Sequence, residues 1–173
     1  GIVGLGNIGY SYDSDSPTSF ARTHARAATL HPDVRLEWGV DPSGESRAGF
    51  ENEYGIQTFT QLEQALNSNP VDVAVLAVSI AGRSELWPIV LESKPKMVIS
   101  EKPLALSFME CAEISNACAD AGIGLLVNYP RRYSDVTQRA RQLIETGELG
   151  RLQVGHVWYG KGVANNASHL INL

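Results

Sequence analysis

The chain opens with Gly1-Ile2-Val3-Gly4-Leu5-Gly6-Asn7-Ile8-Gly9, which is the most informative segment for predicting its fold. Ile2 and Val3 predict the end of a β-strand, and the pattern G-x-G-x-x-G from Gly4 to Gly9 follows without a gap. Directly after a strand, glycines at this spacing allow a tight turn whose backbone N–H groups approach a pyrophosphate. The stretch therefore predicts a dinucleotide-binding turn, and its expected cofactor-binding residues are Gly4, Gly6, Asn7, Ile8 and Gly9.

Further along the chain, short apolar runs alternate with helical patterns. This alternation is typical of βαβ units, in which helices connect parallel strands. The fourth predicted strand is rich in valine, which favours a central position with helices on both faces. Residues 1–127 thus predict an α/β domain of the Rossmann type, a doubly wound parallel sheet. Its strands after the first are expected at Val34–Asp41, Ile56–Phe59, Val71–Val78, Met97–Ser100 and Ile123–Val127.

Several helix ends carry capping residues. Thr60–Glu63 and Ser107–Glu110 both have the capping-box pattern, in which a hydroxyl and a carboxylate each satisfy a backbone N–H. Gly122 is expected to end the helix before the sixth strand, and Ser134 to begin another helix after it.

The pattern changes after Gly150. Apolar and polar residues alternate from Leu152 to Trp158, and this period of two predicts a strand with one covered face. We expect a second domain over residues 128–173, of which only the start is present. The absence of an initiator Met indicates a piece of a longer protein.

Composition limits the classes of function. Hydrophobic residues make up 43% and charged residues 19%, which excludes fibrous and disordered chains. The net charge of −5 argues against nucleic acid or an anionic membrane as a partner. No apolar run approaches the roughly 18 residues of a membrane span. Cys111 and Cys118 lie too far apart along a predicted helix to form a disulfide. We expect a soluble, cytoplasmic protein.

Asp41 ends the second predicted strand, where a carboxylate can accept hydrogen bonds from both hydroxyls of an adenosine ribose. It would repel the 2′-phosphate of NADP, so NAD is the favoured cofactor. Arg47 lies a few residues further on and leaves NADP possible.

The distance from Gly4 to Asp41 is 37 residues, longer than the usual unit of about 30. The excess lies in Tyr10–Ser19, a stretch rich in Ser and Asp. Ser16-Pro17 predicts a helix start and thus a helix from Pro17 to Leu30. The stretch is interpreted either as a flap over cofactor or substrate, or as a solvated surface insertion.

Five features occur here in one order, and together they resemble the glucose-fructose oxidoreductase, inositol dehydrogenase and rhizopine catabolism (Gfo/Idh/MocA) family. They are the glycine-rich turn, Asp41, Glu101-Lys102-Pro103, Val127-Asn128-Tyr129-Pro130-Arg131-Arg132-Tyr133 and Ser168-His169. The resemblance implies a Rossmann domain followed by an α+β substrate domain with a mostly antiparallel sheet. That sheet covers the substrate and often forms the dimer face, so a homo-oligomer is expected for the full-length protein.

The family mostly transfers hydride between NAD(P) and a hydroxyl carbon of a sugar, nucleotide sugar or polyol. By resemblance, Lys102 would contact the reacting oxygen and stabilise the alkoxide that develops there. Glu101 would hold the turn or contact the cofactor, and Ser79 is a further cofactor residue. No metal is expected.

His169 matches the histidine that serves the family as general base, whereas His24, His31 and His156 are interpreted as structural. The family usually has Asp four residues before this histidine, and here the residue is Asn165. An amide can orient an imidazole but cannot stabilise imidazolium as a carboxylate does.

The remaining expected substrate residues are Asn128, Tyr129 and Arg132, together with Asn165, and Lys161 is a further candidate. Because of the Asn165 departure, two other activities stay open. One is a glycosidase that retains NAD, and the other is a regulator that binds dinucleotide and a partner.

Overall fold

The computed structural model describes residues 1–14, 20–156, 158, 160 and 168–171. The chain divides into two compact units, Gly1–Val127 and Asn128–Leu173.

A six-stranded parallel sheet forms the first unit, and it confirms the predicted doubly wound fold. Its strands are β1 (Ile2–Val3), β2 (Gly39–Val40), β3 (Thr58–Phe59), β4 (Val73–Leu76), β5 (Met97–Glu101) and β6 (Gly124–Asn128). They lie in the order β3-β2-β1-β4-β5-β6, and β1 pairs in parallel with both β2 and β4. The strand order therefore reverses next to β1, and dinucleotides bind at such a switch point.

Helices connect the strands. Those of the first unit are α1 (His24–Leu30), α2 (Gly44–Tyr54), α3 (Leu62–Ser68), α4 (Ile80–Arg83), α5 (Trp87–Ser93) and α6 (Phe108–Asp120). The second unit contains α7 (Asp135–Glu145) and α8 (Ser168–Ile171). Short 3₁₀ turns cover Ser11–Asp13, Ser84–Leu86 and Pro130–Tyr133. Within the described residues, no helix is both long and apolar enough to cross a bilayer.

The capping predictions have different outcomes. The Ser107 hydroxyl accepts a hydrogen bond from the N–H of Glu110, and Ser134 caps α7 in the same way, as predicted. The predicted box at Thr60 is wrong, because α3 begins only at Leu62 and the Thr60 hydroxyl donates to the side chain of Gln64 instead.

Three strand predictions extend beyond the observed strands, namely Val34–Asp41, Ile56–Phe59 and Val71–Val78, and a fourth predicted strand, after Gly150, is absent. The second strand has only Gly39 and Val40, because these two residues pair with β1 and β3 whereas Val34 is exposed. Leu152–His156 do not form a strand, and Leu152 and Val154 are exposed. No strand among the described residues pairs with that segment, and an isolated strand leaves its backbone groups without ladder partners.

The core of the first unit lies on both faces of the sheet. One cluster includes Trp38, Leu76, Val90 and Val98, all completely buried. The indole N–H of Trp38 donates to the backbone carbonyl of Asn69 at 2.8 Å, so this large side chain is buried with its polar atom satisfied.

The helix after the glycine-rich turn is interrupted by a long insertion. The N–H groups of His24 and Ala25 donate to the carbonyls of Ile8 and Gly9, the bonds that residues 12 and 13 would make in a continuous helix. The helix thus begins at the glycine-rich turn and is interrupted at Tyr10, where the insertion begins. It continues after the insertion as α1. The predicted helix from Pro17 to Leu30 is too long, because residues 20–23 are not helical and Thr23 caps α1; its predicted start at Ser16-Pro17 lies outside the described residues.

A buried carboxylate closes this insertion at its base. Asp13 is 2% exposed, and its Oδ2 accepts hydrogen bonds from the N–H groups of Arg22 and Thr23 and from the Thr23 hydroxyl, each at 2.8 Å. Burial alone would raise the pKa of Asp13, but the hydrogen bonds from Thr23 and Arg22 outweigh it and hold that pKa below its usual range. Asp13 therefore fixes the cap of α1.

Candidate functional site

The expected cofactor residues of the first unit gather at one edge of the sheet. The glycine-rich turn follows β1, Asp41 follows β2, Ser79 follows β4, and Glu101 and Lys102 end β5. Because these strands are parallel, their carboxyl ends share one edge, and the turn stands beside the place where the strand order reverses.

Two glycines of the turn are required by close packing of the backbone. Gly4 has φ +95°, and a Cβ there would lie 2.8 Å from the backbone of Ala77. A Cβ on Gly9 would lie 2.1 Å from the carbonyl oxygen of Gly4. At Gly6, by contrast, no atom of the described residues lies within 4 Å of such a Cβ. Gly4 and Gly9 thus shape the turn, and Gly6 leaves space in front of it.

The turn also presents hydrogen-bond donors. Within the described residues, the backbone N–H groups of residues 6–9 make no hydrogen bond. Successive backbone N–H groups without internal partners, in a glycine-rich turn after a strand, can bind an anion. The open space at Gly6 and these donors fit the pyrophosphate of NAD.

Asp41 joins the turn to the second strand. Its Oδ2 accepts from the N–H of Leu5 at 2.8 Å, and its Oδ1 accepts from the N–H of Ser43 at 2.8 Å. An ionised carboxylate offers about four lone-pair sites, so about two remain for other donors. The residue can therefore hold the turn and still accept hydrogen bonds from a ribose.

Arg47 lies on α2 close to this carboxylate. Its guanidinium donates to the backbone carbonyls of Asp41 at 2.7 Å and Pro42 at 3.0 Å. These bonds fix the strand end that carries Asp41.

Glu101 is held by a histidine from the interrupted helix. Nε2 of His24 lies 2.9 Å from Oε1 of Glu101, and both side chains are nearly buried, at 11% and 12% exposure. This contact joins α1 to the carboxyl end of β5. The sequence led to a structural interpretation of His24, and its contact with Glu101 joins it to the turn that carries Lys102.

Arg83 is a second partner of the same turn. The side chain at the end of α4 is 2% exposed, and its guanidinium donates to the backbone carbonyls of Glu101, Pro103 and Val78. The bond to Pro103 measures 2.5 Å and that to Val78 measures 2.7 Å. Burial lowers the pKa of Arg83, and the charge of Glu101 opposes that effect.

Lys102 is half-buried between Glu101 and Pro103, and the Lys102–Pro103 peptide bond is cis. Ser79 is exposed at the start of α4. The contacts of Lys102 and Ser79 with cofactor or substrate remain predictions.

The second unit contains the other expected residues. His169 on α8 is 8% exposed, and its ring stands edge-on to that of Tyr129 with 5.6 Å between the ring centroids. Asn128 ends β6, and Arg132 is exposed in the turn after it. Asn165 and Lys161 lie outside the described residues. The structure thus places Tyr129 beside His169, and their roles stay predictions.

Arg83 was not predicted as a site residue, although the sequence pattern around it indicates that its side chain is buried. Arg83, Trp87 and Val90 follow one another at spacings of four and three, which places all three on one face of a helix. All three are buried. An arginine on an apolar helical stripe indicates a buried guanidinium with internal acceptors.

A cavity of about 700 Å³ opens elsewhere in the first unit. It is lined by α1 and the segment after it, and by Gly1, Val73 and Met97 at the amino ends of three strands. It therefore lies toward the opposite edge of the sheet from the glycine-rich turn.

Comparison with protein families gives a match over residues 1–129 to the Gfo/Idh/MocA model, described as an oxidoreductase family with an NAD-binding Rossmann fold. The chain is 26% identical over 156 residues to 2,7-anhydro-N-acetylneuraminate hydratase of Escherichia coli, covering 90% of this chain and 39% of the relative. It is 25% identical over 150 residues to the NAD⁺-dependent scyllo-inositol 2-dehydrogenase of Bacillus subtilis, covering 87% and 41%.

Among solved structures, the WlbA dehydrogenase of Bordetella pertussis, in complex with NADH and UDP-GlcNAcA, aligns with a TM-score of 0.79 and 24% identity. The alignment covers 99% of this chain and 55% of that one. This likeness shows the fold. The chain spans about two fifths of the length of the two curated relatives.

Proposed function

The chain belongs to the Gfo/Idh/MocA family of NAD-binding oxidoreductases, and from this premise we propose that the full-length protein is a dehydrogenase. Its substrate would be a sugar, nucleotide sugar or polyol, oxidised or reduced at a hydroxyl carbon. The scyllo-inositol dehydrogenase among the relatives supports this substrate class.

One observation carries the proposal. The carboxyl edge of the sheet holds a glycine-rich turn with available N–H groups, the ribose-accepting candidate Asp41, and a half-buried lysine in Lys102. The first two fit NAD, and the third is a positive charge at the end of the neighbouring strand β5. A dinucleotide can accept hydride, and a fixed ammonium group can stabilise charge on the reacting oxygen, so the two together fit hydride transfer at a hydroxyl carbon.

The proposed reaction is shared between the cofactor and three side chains. When bound, NAD⁺ supplies the nicotinamide ring that accepts hydride. Lys102 would donate a hydrogen bond to the substrate oxygen and stabilise the negative charge that develops there as the hydroxyl loses its proton, before the carbon transfers hydride and the carbonyl forms. His169 would take the hydroxyl proton, since an imidazole has an ordinary pKa near neutrality. Tyr129 would fix the orientation of the His169 ring by its edge-on contact.

A second candidate is a reaction without net oxidation, in which the substrate is oxidised and then reduced again on the same NAD. It includes the NAD-retaining glycosidase that sequence analysis left open. The hydratase among the relatives favours it, because hydration changes no net oxidation state. Both candidates require Lys102 and bound NAD, and they differ in whether free NADH accumulates.

The test uses the full-length protein with NAD⁺ and a panel of inositols, sugars and nucleotide sugars. NADH is followed by absorbance, and products are identified by mass spectrometry. Lys102→Ala should lower the rate about 10²- to 10³-fold. Lys96→Ala is the matched control, because Lys96 is an exposed lysine before the same strand, paired with Asp72.

NADH formation that Lys102→Ala abolishes and Lys96→Ala leaves intact would support the dehydrogenase. A product formed without NADH would favour the redox-neutral reaction. NAD binding with no product from any substrate would contradict both, and it would favour a regulator that binds dinucleotide and a partner.

A further inference from the structure

The interior of the first unit contains one arginine whose burial needs an explanation. Arg83 is 2% exposed, and its charge is compensated by backbone carbonyls. Burying a guanidinium is costly unless its donors are satisfied. Nε of Arg83 has no hydrogen-bond partner among the described residues, so the acceptors of Nη1 and Nη2 indicate the role of this side chain.

Those acceptors bracket Lys102. One guanidinium nitrogen, Nη1, donates both to the carbonyl of Glu101, directly before Lys102, and to the carbonyl of Pro103, directly after it. The other, Nη2, donates to the carbonyl of Val78, which follows the neighbouring strand β4. Arg83 therefore ties the turn that carries Lys102 to the end of a second strand.

We propose that Arg83 is a positioning residue that fixes the backbone on both sides of Lys102 and so aims the ammonium group at the reacting oxygen. This inference rests on the proposed function of Lys102. It assigns to Arg83 an effect on the chemical step in addition to its contribution to stability.

A second contact makes the same turn rigid from the other side. The His24–Glu101 contact, 2.9 Å long, joins the residue before Lys102 to the helix that continues the glycine-rich turn. The turn is thus held by α1 and by α4. The two supports act on different groups, because His24 contacts the side chain of Glu101 whereas Arg83 binds the backbone carbonyls on both sides of Lys102.

The experiment compares three variants of the full-length protein. Arg83→Met keeps the length of the side chain and removes all donors. Arg83→Lys keeps the charge with a single nitrogen, which cannot reproduce the forked geometry. Val90→Ala is the control for stability, since it removes buried volume from the neighbouring helix α5 without removing a hydrogen bond to the turn. Melting temperatures establish how far Val90→Ala matches the destabilisation in Arg83→Met.

Two readouts are taken. The first is kcat and KM with the substrate found in the panel. A misplacement of about 1 Å in a reacting group can cost about 100-fold, so Arg83→Met should lower kcat about 10- to 100-fold with little change in KM. Arg83→Lys should give an intermediate kcat. Val90→Ala should leave kcat unchanged below its melting transition.

The second readout needs no turnover. Trace acetylation with an N-hydroxysuccinimide ester is followed by mass spectrometry, and the labelling of Lys102 is divided by that of exposed Lys96 in the same molecule. A turn released from Arg83 opens more often, so this ratio should rise severalfold in Arg83→Met and stay constant in Val90→Ala.

An unchanged labelling ratio in Arg83→Met would overturn the proposal, and so would a fall in kcat no greater than in an equally destabilised Val90→Ala. Failure of the proposed function looks different, because the unsubstituted protein itself would then form no product. In that case a raised labelling ratio in Arg83→Met would still identify Arg83 as the residue that holds the turn.

Discussion

Replacing Asp41 by Asn tests the proposed adenosine end of the site. The carboxylate accepts hydrogen bonds from the N–H groups of Leu5 and Ser43 through different oxygens. Asparagine has nearly the same shape but offers one acceptor oxygen and one NH₂ donor. Either Leu5 or Ser43 must therefore face a donor instead of an acceptor.

The expected size of the effect follows from these bonds. A hydrogen bond to a charged group contributes about 1.5–3 kcal/mol, so Asp41→Asn should lower the free energy of unfolding by about that amount. A bound ribose would lose one charge-assisted bond as well, and each 1.4 kcal/mol is about a tenfold change in Kd. We therefore expect NAD⁺ to bind about 10- to 100-fold more weakly.

The cofactor preference should change in the same variant. The carboxylate repels the 2′-phosphate of NADP⁺, and asparagine removes that repulsion. NADP⁺ binding should therefore weaken less than NAD⁺ binding, or improve, because the nearby Arg47 guanidinium can donate hydrogen bonds to the phosphate.

The assay combines urea unfolding with calorimetric titration of NAD⁺ and NADP⁺ into the full-length protein. Asp120→Asn is the control, because it changes the net charge equally at an exposed position at the end of α6. If Asp41→Asn bound NAD⁺ as tightly as the unsubstituted protein, Asp41 would not be the ribose acceptor. Equal weakening of NAD⁺ and NADP⁺ would show that the residue acts only by supporting the turn.

Other predictions concern the turn and the insertion. Gly9→Ala should lower both the melting temperature and NAD⁺ affinity, because its Cβ would lie 2.1 Å from the Gly4 oxygen, whereas Gly6→Ala should weaken NAD⁺ binding with the melting temperature unchanged. The pKa of Asp13 is lowered in the folded state, so its ionised carboxylate stabilises the fold above the unfolded pKa of about 3.9. This stabilisation is lost as the pH falls through the folded pKa. The urea midpoint of Asp13→Asn should therefore decline less steeply with falling pH than that of the unsubstituted protein. Burial raises the pKa of Tyr54 to about 12, so the folded state retains its proton longer and stability should fall from about pH 10 to 12, a decline that Tyr54→Phe should reduce. If the urea midpoint of Asp13→Asn fell as steeply in acid, or that of Tyr54→Phe as steeply in alkali, as in the unsubstituted protein, the role given to that residue would be contradicted.

Local sequence was sufficient for the features that depend on neighbouring residues. The glycine-rich turn, the valine-rich strand β4 and the caps at Ser107 and Ser134 were all predicted and are present. Each is set by steric or hydrogen-bonding preferences within a few residues, and alternation of helix and strand then leaves few topologies besides a doubly wound sheet.

Long-range contacts decided the rest. The sequence around Pro17 does not show that the helix resumes only at His24, because that start depends on the carbonyls of Ile8 and Gly9 and on the contact between Asp13 and Thr23 across the insertion. The strand predicted after Gly150 failed for a related reason, since alternation gives a strand a face but only a neighbouring strand gives it hydrogen bonds.

The fold class, the family and the residue types of the candidate site follow from the amino-acid sequence. The tertiary structure alone decided which groups hold those residues: Asp41 shares its oxygens with Leu5 and Ser43, His24 meets Glu101, and a buried arginine from α4 brackets Lys102. Parallel strands that are distant in sequence end at one edge of the sheet. The hydrogen-bond and charge partners at that edge therefore depend on which side chains the packing places there.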